Sequence, residues 1–230
     1  MQGSINLTAD CVYIALDIDG VLHSMFTDCQ PAWKEHLRAG VWTPAMFHAA
    51  VREAFLEALQ DELNSGSPDD SFKDGYLFSQ TPLLEAVLRR HTAARIVIAS
   101  DWRLSLPLPL LRSLLPPAVA QRVVGATASV REKDSAGHPV PGIRGKLMRE
   151  WLRTNQLPND TPWVAIDDCA VLWRGDESSL IHTFFAEGLQ PADVRKLDDW
   201  LAATAPSRGT SVNQHLPRCG RAQAVFAVQA

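Results

Sequence analysis

The sequence predicts an α/β protein built on a doubly wound, mainly parallel sheet of five strands. Two observations favour this class: short apolar segments typical of buried strands recur along the chain, and segments with helical spacing of apolar residues alternate with them. Connections between parallel strands are right-handed, so helices are expected on both faces of the sheet. A chain of 230 residues is long enough for one such domain and a small insertion.

The predicted strands are short and almost continuously apolar, as expected of strands that are buried on both faces. The first, "CVYIALD", runs directly into acidic residues, and the fourth, "PWVAID", does the same. The five segments span 11–17, 95–100, 122–126, 162–167 and 181–185.

Three segments between or after these strands have helical periodicity. Residues 82–91 place apolar side chains on one face, with Thr81 predicted as N-cap and Pro82 as the first helical residue. Residues 143–154 and 191–202 show the same spacing. These helices supply the crossovers that a parallel sheet requires.

The chain between the first two strands is too long for a simple loop. Residues 23–80 are predicted to form a small cap-like insertion with its own amphipathic helix, which begins with Thr43 as cap and Pro44 as first residue. The apolar face of that helix consists of Phe47, Val51, Phe55 and Leu59. We therefore expect one domain over residues 1–203, bordered near its ligand site by the charged segment 128–143, and an irregular tail over 204–230.

Composition excludes several classes of function. Apolar residues make up 46% and charged residues 21% of the chain, and the net charge is −4, which is unlike a protein that coats nucleic acid or an anionic membrane. Charged residues and prolines interrupt every apolar run before it reaches membrane-spanning length. The four cysteines lack CxxC spacing, and "MQGSINLTAD" lacks the features of a secretory signal. We expect a cytoplasmic protein, and nothing in the sequence implies a stable protein partner.

Polar residues follow three of the predicted strands at the ends where a doubly wound sheet binds its ligands. Asp17 and Asp19 follow the first strand, Ser100 ends the second, and Asp167 and Asp168 end the fourth. The parallel topology brings these groups to one edge of the sheet, although they are far apart in sequence. Two cations, Arg144 and Lys146, start the helix between the third and fourth strands.

This set of groups suits metal-assisted phosphoryl transfer. Carboxylate oxygens are the ligands that Mg²⁺ prefers, and the ion would relieve the repulsion between neighbouring carboxylates. The candidate ligands are Asp17, Asp19, Asp167 and Asp168. One carboxylate can attack phosphorus, a second can serve as general acid and base, and a hydroxyl with a cation can bind the phosphoryl oxygens.

The motifs resemble those of the haloacid dehalogenase (HAD) superfamily, in the same order along the chain. They are "IALDIDGV", "IVIAS", "IRGK" and "VAIDD". More narrowly, "DIDGVLH", "IASDWR", "RVVGAT", "WVAIDD" and "GLQPADVRKL" are similar to the HAD domain of bacterial Swiss Army Knife RNA-repair proteins, over roughly residues 12–202. The resemblance implies a Rossmann-like fold, an aspartyl-phosphate intermediate and Mg²⁺ as cofactor.

By this resemblance, Asp17 is the nucleophile and Asp19 is the general acid and base. Ser100 would bind phosphate, and Asp167 with Asp168 would hold Mg²⁺. The presence of Asp19 favours phosphate chemistry over dehalogenation, because dehalogenating members of the superfamily lack the second acid.

The phosphate-binding cation of the third motif has two candidates. Lys146 is the usual residue type, whereas Arg144 lies on the helix face of Leu147, Met148 and Trp151, which is predicted to pack toward the sheet. Lys146 falls on the polar face. Helical geometry therefore favours Arg144, which would offer a bidentate fork instead of a point charge.

Three further residues are candidate substrate contacts: His23, Asp101 and Arg103. Each also has a structural interpretation. A histidine or arginine next to a buried strand commonly serves to satisfy neighbouring polar groups. The match to "SDWR" keeps Arg103 as a candidate for binding a second anion of the substrate, and Asp101 stays a candidate substrate contact.

The order of the motifs argues against a response-regulator receiver, in which the acidic pair comes early and the hydroxyl and lysine come last. The sequence thus predicts a phosphatase of phosphoric monoesters. The resemblance favours phosphates at nucleic-acid ends, and a small phosphorylated metabolite is the alternative substrate. A non-catalytic interaction module is the alternative of a different class, but it would be expected to carry a damaged motif.

Overall fold

A computed structural model describes residues 11–24, 77–130 and 132–204, together with residues 36, 38–41, 43, 46 and 50. The strands are β1 (Val12–Leu16), β2 (Ala94–Ile98), β3 (Val123–Ala126), β4 (Trp163–Asp167) and β5 (Leu180–His182). The helices are α1 (Thr81–Arg90), α2 (Trp102–Ser105), α3 (Leu108–Leu114), α4 (Pro117–Ala120), α5 (Ile143–Thr154) and α6 (Pro191–Thr204). Short 3₁₀ turns span Ala170–Trp173 and Glu177–Ser179.

The five strands form one parallel sheet in the order β3-β2-β1-β4-β5. The chain moves outward from β1 through β2 to β3, and then crosses back to place β4 on the other side of β1. The strand order therefore reverses at β1, and the carboxyl ends of β1, β2 and β4 lie side by side at this point. Ligands bind at such a switch point in open α/β sheets.

The two faces of the sheet are covered by different helices, because successive side chains of a strand point to opposite faces. Ile14 and Leu16 of β1 belong to a core that includes residues of α1, α3 and α6. Tyr13 and Ala15 belong to the other core, with Met148 of α5. This arrangement confirms the predicted doubly wound α/β class.

Some predicted boundaries are wrong by one to three residues. Helix α1 begins at Thr81 itself and its N-cap is Gln80, which makes no side-chain capping bond, so Thr81 is not the cap. The hydroxyl of Thr81 is instead buried without a hydrogen-bond partner. The fifth strand ends at His182, not at residue 185, because Phe184 begins a turn in which the amides of Glu187 and Gly188 donate to its carbonyl oxygen.

Most of the predicted insertion (23–80), including nearly all of its amphipathic helix, lies outside the described residues. One contact agrees with its predicted start: the Thr43 hydroxyl accepts a hydrogen bond from the Met46 amide at 3.2 Å, as an N-cap does. The tail also lies outside the described residues after Thr204. In the part of the chain that is described, no helix is long and apolar enough to span a membrane.

Candidate active site

The loop after β1 presents Asp17 and Asp19 at the switch point. Asp17 is almost fully buried, and its Oδ1 accepts a hydrogen bond from the Ile18 amide at 2.8 Å. Asp19 is partly exposed. Gly20 follows with φ of +66°, and a Cβ there would lie 2.5 Å from Oδ2 of Asp168. A side chain at position 20 would therefore displace the side chain of Asp168.

The end of β4 supplies the second pair of carboxylates. Asp167 is fully buried, and its two oxygens are held by different donors: Oδ1 by the Cys169 amide at 2.8 Å and Oδ2 by Nε1 of Trp173 at 2.7 Å. Asp168 is only partly buried. Asp17, Asp167 and Asp168 each offer an oxygen, and these three atoms lie within 4.8 Å of one another.

These three carboxylates fit a small divalent cation. Opposite ligands of an octahedral Mg²⁺ are about 4.2 Å apart, since each Mg–O bond is about 2.1 Å long. The three oxygens therefore need only small movements to share one ion. Buried carboxylates this close to one another also require positive charge for all of them to ionise.

Burial and crowding raise the pKa values of the two carboxyl groups at the end of β4, Asp167 and Asp168. Burial, together with the charge of Asp17, raises the pKa of Asp167 to about 7. The same two causes raise the pKa of Asp168 to about 6. Without additional positive charge, the site therefore holds protons near neutral pH.

Arg144, in the first turn of α5, supplies positive charge at the centre of the site. Its Nη1 donates to Oδ2 of Asp17 at 2.7 Å and also to Asp167, and its Nη2 donates to Asp101 at 2.9 Å. Burial works against this charge, but the nearby carboxylates outweigh burial and raise the pKa of Arg144. Lys146 is exposed two residues on and does not line the cavity described below.

Glu132 completes the surroundings of Arg144, and sequence reasoning missed it. Its Oε2 accepts from Nε of Arg144 at 2.8 Å, and its Oε1 pairs with Arg103. Burial raises the pKa of Glu132, against the opposing charge of Arg144. The only sequence signal was its place in the charged segment 128–143. Nothing local distinguishes this glutamate from the exposed acid Asp134 close by.

The guanidinium of Arg103 contacts backbone carbonyl groups and Glu132, and it does not face the cavity as a substrate contact is expected to do. Its guanidinium is buried, where Nη1 donates to the carbonyl oxygens of Ala99 and Ser100, and Nε donates to that of Ala128. With Glu132 as the fourth partner, Arg103 ties the end of β2 to the segment after β3. Arg103 is not among the residues that line the cavity.

Ser100 and Asp101 follow β2 at the same edge of the sheet. Ser100 is fully buried, and its hydroxyl accepts a hydrogen bond from the Trp102 amide at 3.4 Å. The side chain of Asp101 is about half exposed and lines the cavity. Burial alone would raise the pKa of Asp101. A hydrogen bond with Glu132 and the charge of Arg144 outweigh burial, so the pKa of Asp101 is lowered.

Two ring nitrogens contact the carboxylate of Asp19. Nε1 of Trp102 lies 2.9 Å from each carboxylate oxygen, and Nε2 of His23 lies 3.1 Å from Oδ1. Both rings are fully buried, so His23 is placed behind Asp19 and does not reach the cavity.

A cavity of about 370 Å³ opens over these groups. Its polar wall includes Asp17, Asp19 and Arg144, and its outer part includes Lys133 and Phe185. Phe185 is 41% exposed and its ring centroid lies 4.8 Å from that of Phe184, which is 56% exposed. The volume is within the range of small-molecule sites. The exposed aromatic pair Phe184 and Phe185 therefore lies beside a cavity lined by charged residues.

Comparison with known families agrees with this geometry. The model of a family described as the HAD domain in Swiss Army Knife RNA repair proteins matches residues 13–194. No curated protein and no solved structure gives a significant match. The matched segment contains all five strands of the sheet, apart from Val12 at the start of β1, and every candidate site residue named above.

Proposed function

This chain belongs to the family of HAD domains in Swiss Army Knife RNA repair proteins, and we propose that it is a Mg²⁺-dependent phosphatase of phosphoric monoesters. The observation that carries the proposal is the approach of Asp17, Asp167 and Asp168 within 4.8 Å at the switch point, with Asp19 two residues beyond Asp17. Family membership supports hydrolase chemistry, and the geometry is compatible with Asp17 as nucleophile, Asp19 as acid and a cation held by the three clustered carboxylates.

In the proposed reaction, an oxygen of Asp17 attacks phosphorus and the bond from phosphorus to the ester oxygen breaks. Asp19 gives its proton to the departing alkoxide, so that an alcohol leaves and Asp17 carries the phosphoryl group. Asp19 then takes a proton from water as the water oxygen attacks phosphorus. The bond between phosphorus and Asp17 breaks, and inorganic phosphate and free Asp17 result.

The remaining residues would balance the negative charges of the phosphoryl group and of Asp17. Asp17, Asp167 and Asp168 would hold Mg²⁺, whose positive charge offsets the phosphoryl oxygens and the nucleophile when the ion is bound. Arg144 contacts Asp17 and Asp167 and lies at the cavity wall, where it can also face the phosphoryl oxygens. Ser100 follows β2 beside the cavity residue Asp101, is fully buried and is not among the residues that line the cavity. It is the candidate for a hydroxyl contact to phosphate.

The first test is release of phosphate from an aryl phosphate, measured with Mg²⁺ and with EDTA. We expect turnover that requires Mg²⁺ and is lost in Asp17→Asn. Asp160→Asn, which changes an exposed aspartate in the turn before β4, is the matched control and should keep wild-type turnover. Turnover that survives in Asp17→Asn or in EDTA would contradict the proposal. A protein that binds Mg²⁺ but hydrolyses no ester would support the interaction-module alternative.

For the substrate, we propose a phosphate at the end of a nucleic-acid strand. Two observations support this choice: the family description names RNA repair, and the Phe184–Phe185 pair beside the cavity offers a surface on which a base could stack. Lys133 in the cavity wall could contact a neighbouring phosphate. A small phosphorylated metabolite is the alternative, since a cavity of about 370 Å³ also accommodates one.

The two substrate classes are separated by comparing kcat/KM for 3′- and 5′-phosphorylated oligonucleotides with that for sugar phosphates. We expect oligonucleotides to be preferred. Phe185→Ala should lower kcat/KM for oligonucleotides by about 5- to 150-fold, because stacking on one base is worth about 1–3 kcal/mol. It should leave sugar phosphates nearly unchanged. Equal values for both substrate classes in the wild type, or equal losses in the variant, would favour the metabolite.

A further inference from the structure

Asp19, the proposed acid, is held by two side chains to which neither the family match nor the motifs assign a role. The indole of Trp102 is fully buried in α2, and its N–H points between the two oxygens of Asp19, 2.9 Å from each. A donor shared equally between both oxygens fixes the position of the carboxylate. The carboxylate can still rotate about its Cβ–Cγ bond, so its plane needs a second contact at one oxygen.

His23 makes the second contact, and its surroundings determine which ring nitrogen carries the proton. Nδ1 faces the backbone N–H of Phe78 at 3.5 Å, and since an amide can only donate, Nδ1 must accept. In the neutral ring the proton is therefore on Nε2, which donates to Oδ1 of Asp19 at 3.1 Å. The rings of Phe78 and Trp102 lie 5.7 and 6.3 Å from the imidazole and keep it in place.

The exposed side of Asp19 faces the cavity in which the proposed reaction would take place. Its side chain is 34% exposed and lines the cavity together with Asp17, whereas both of its ring partners are fully buried behind it. The two donors come from different segments, the β1 loop and the helix after β2. Together they prevent the carboxylate from rotating away from the cavity or turning toward the Asp17–Asp167–Asp168 cluster.

We infer that Trp102 and His23 are positioning residues that hold the carboxylate of Asp19 in the orientation needed to protonate the leaving group. This inference rests on the proposed phosphatase function and adds to it the reason why Asp19 serves as an acid instead of a fourth metal ligand. It also explains why an indole N–H and an imidazole N–H, both removed from water, are directed at the same side chain.

The test compares two esters that differ in how much they need an acid. An aryl phosphate releases a stable phenolate, whereas an alkyl phosphate releases an alkoxide that must be protonated. The measured quantity is kcat/KM, because it reports the steps up to departure of the leaving group and excludes later hydrolysis of phospho-Asp17. Trp102→Phe removes the N–H donor and keeps an aromatic ring.

We expect Trp102→Phe to lower kcat/KM for the alkyl phosphate about 10- to 100-fold, which is part of the 10²- to 10⁴-fold effect of a general acid. The kcat/KM for the aryl phosphate should change by less than about threefold. Trp173→Phe is the matched control, because it removes the same kind of donor from Asp167. It should lower both values by the same factor. Equal losses for the two esters in Trp102→Phe, or no loss for either, would overturn the inference.

His23 provides a second variant should Trp102→Phe fail to fold. His23→Leu should show the same selective loss for the alkyl phosphate, and His23→Gln, which keeps an N–H donor, should restore part of it. Retained turnover of the aryl phosphate shows that each variant is folded. If the wild type hydrolyses neither of these esters nor a phosphorylated oligonucleotide, the phosphatase function itself is overturned, and the positioning role with it.

A readout without turnover completes the test. In metal-free protein, the indole N–H resonance of Trp102, identified by its absence in Trp102→Phe, should shift in Asp19→Asn. The indole resonance of Trp173, which donates to Asp167, should stay in place. A Trp102 resonance that does not respond to Asp19→Asn would overturn the contact on which the inference depends.

Discussion

Arg144 determines the charge balance of the site at the scale of single residues. Its guanidinium donates to carboxylates from four segments of the chain: Asp17, Asp101, Glu132 and Asp167. A planar fork with five N–H donors can serve several partners at once, whereas a lysine ammonium is a point charge on a flexible stem. Removing Arg144 would leave buried carboxylates without compensation.

We expect Arg144→Ala to abolish turnover and to lower the free energy of unfolding by about 3–5 kcal/mol, the usual cost of breaking a buried ion pair from one side. Arg144→Lys should fold better, because it keeps the charge, but its kcat/KM should fall at least about tenfold, since an ammonium cannot reproduce the fork. Phosphate-release assays and thermal unfolding measure both effects.

Lys146→Ala is the matched control for these variants, because Lys146 is exposed on the same helix. It should leave kcat/KM within about twofold of wild type, as is usual for surface substitutions. Small, equal effects of Arg144→Ala and Lys146→Ala would show that neither residue is the cation of the third motif.

At the scale of elements, the turn after β5 connects the aromatic pair to the loop that follows β1. Phe184 and Gly188 form an isolated bridge across this turn, and the Leu189 amide donates to the carbonyl oxygen of Val21 at 2.8 Å. Gly188 has φ of +69°, and a Cβ there would lie 2.9 Å from the same carbonyl oxygen. Because that atom belongs to the backbone, it cannot move aside as a side chain can.

We expect Gly188→Ala to lower the free energy of unfolding by at least about 1–2 kcal/mol, the cost of a left-handed conformation for a residue with a Cβ. The melting temperature should fall by about 2–8 °C. Gly137→Ala isolates the cost of the backbone conformation, because Gly137 has φ of +86° and a Cβ there would meet no atom within 4 Å. Equal losses in the two variants would show that the approach to Val21 has no energetic consequence.

At the scale of the whole molecule, the acidic cluster links stability to pH and to metal. In an unfolded chain an aspartate has a pKa of about 3.9, whereas the folded protein raises the pKa of Asp168 to about 6 and that of Asp167 to about 7. Between these values the folded state binds more protons than the unfolded state. The contribution of the pair to stability therefore falls as pH rises from about 4 to about 7.

Mg²⁺ should reverse this trend, because it binds the ionised carboxylates. We expect the melting temperature to rise on addition of Mg²⁺ much more at pH 8 than at pH 5.5. At 100 times the dissociation constant, the ion would contribute about 2.7 kcal/mol, which corresponds to roughly 5–10 °C.

Differential scanning fluorimetry in EDTA and in Mg²⁺ across this pH range measures the link between protons and metal. Asp168→Asn should weaken both the pH dependence in EDTA and the shift caused by Mg²⁺, whereas the exposed control Asp160→Asn should change neither. A Mg²⁺ shift that is equal at the two pH values would contradict the metal assignment.

Local pattern made much of the fold predictable. Continuous apolar runs identified all five strands, and helical spacing placed α5 at its observed bounds, since these signals depend on residues close together in sequence. Strand and helix ends were less predictable. Thr81 is compatible with an N-cap by residue type, but Gln80, whose amide donates to the distant carbonyl oxygen of Leu22, takes that place.

By itself, the sequence determined the sheet, the order of its acidic motifs and the face of α5 that turns inward, because each follows from local spacing and from the rule that parallel strands end at a common edge. Only the tertiary structure decided that Glu132 joins Arg103 to Arg144, that Trp102 and His23 enclose Asp19, and that Phe185 stands at the cavity. These contacts join residues that are distant in the chain. The local spacing of residue types does not indicate which distant side chain will form an ion pair or hydrogen bond with a buried charged group.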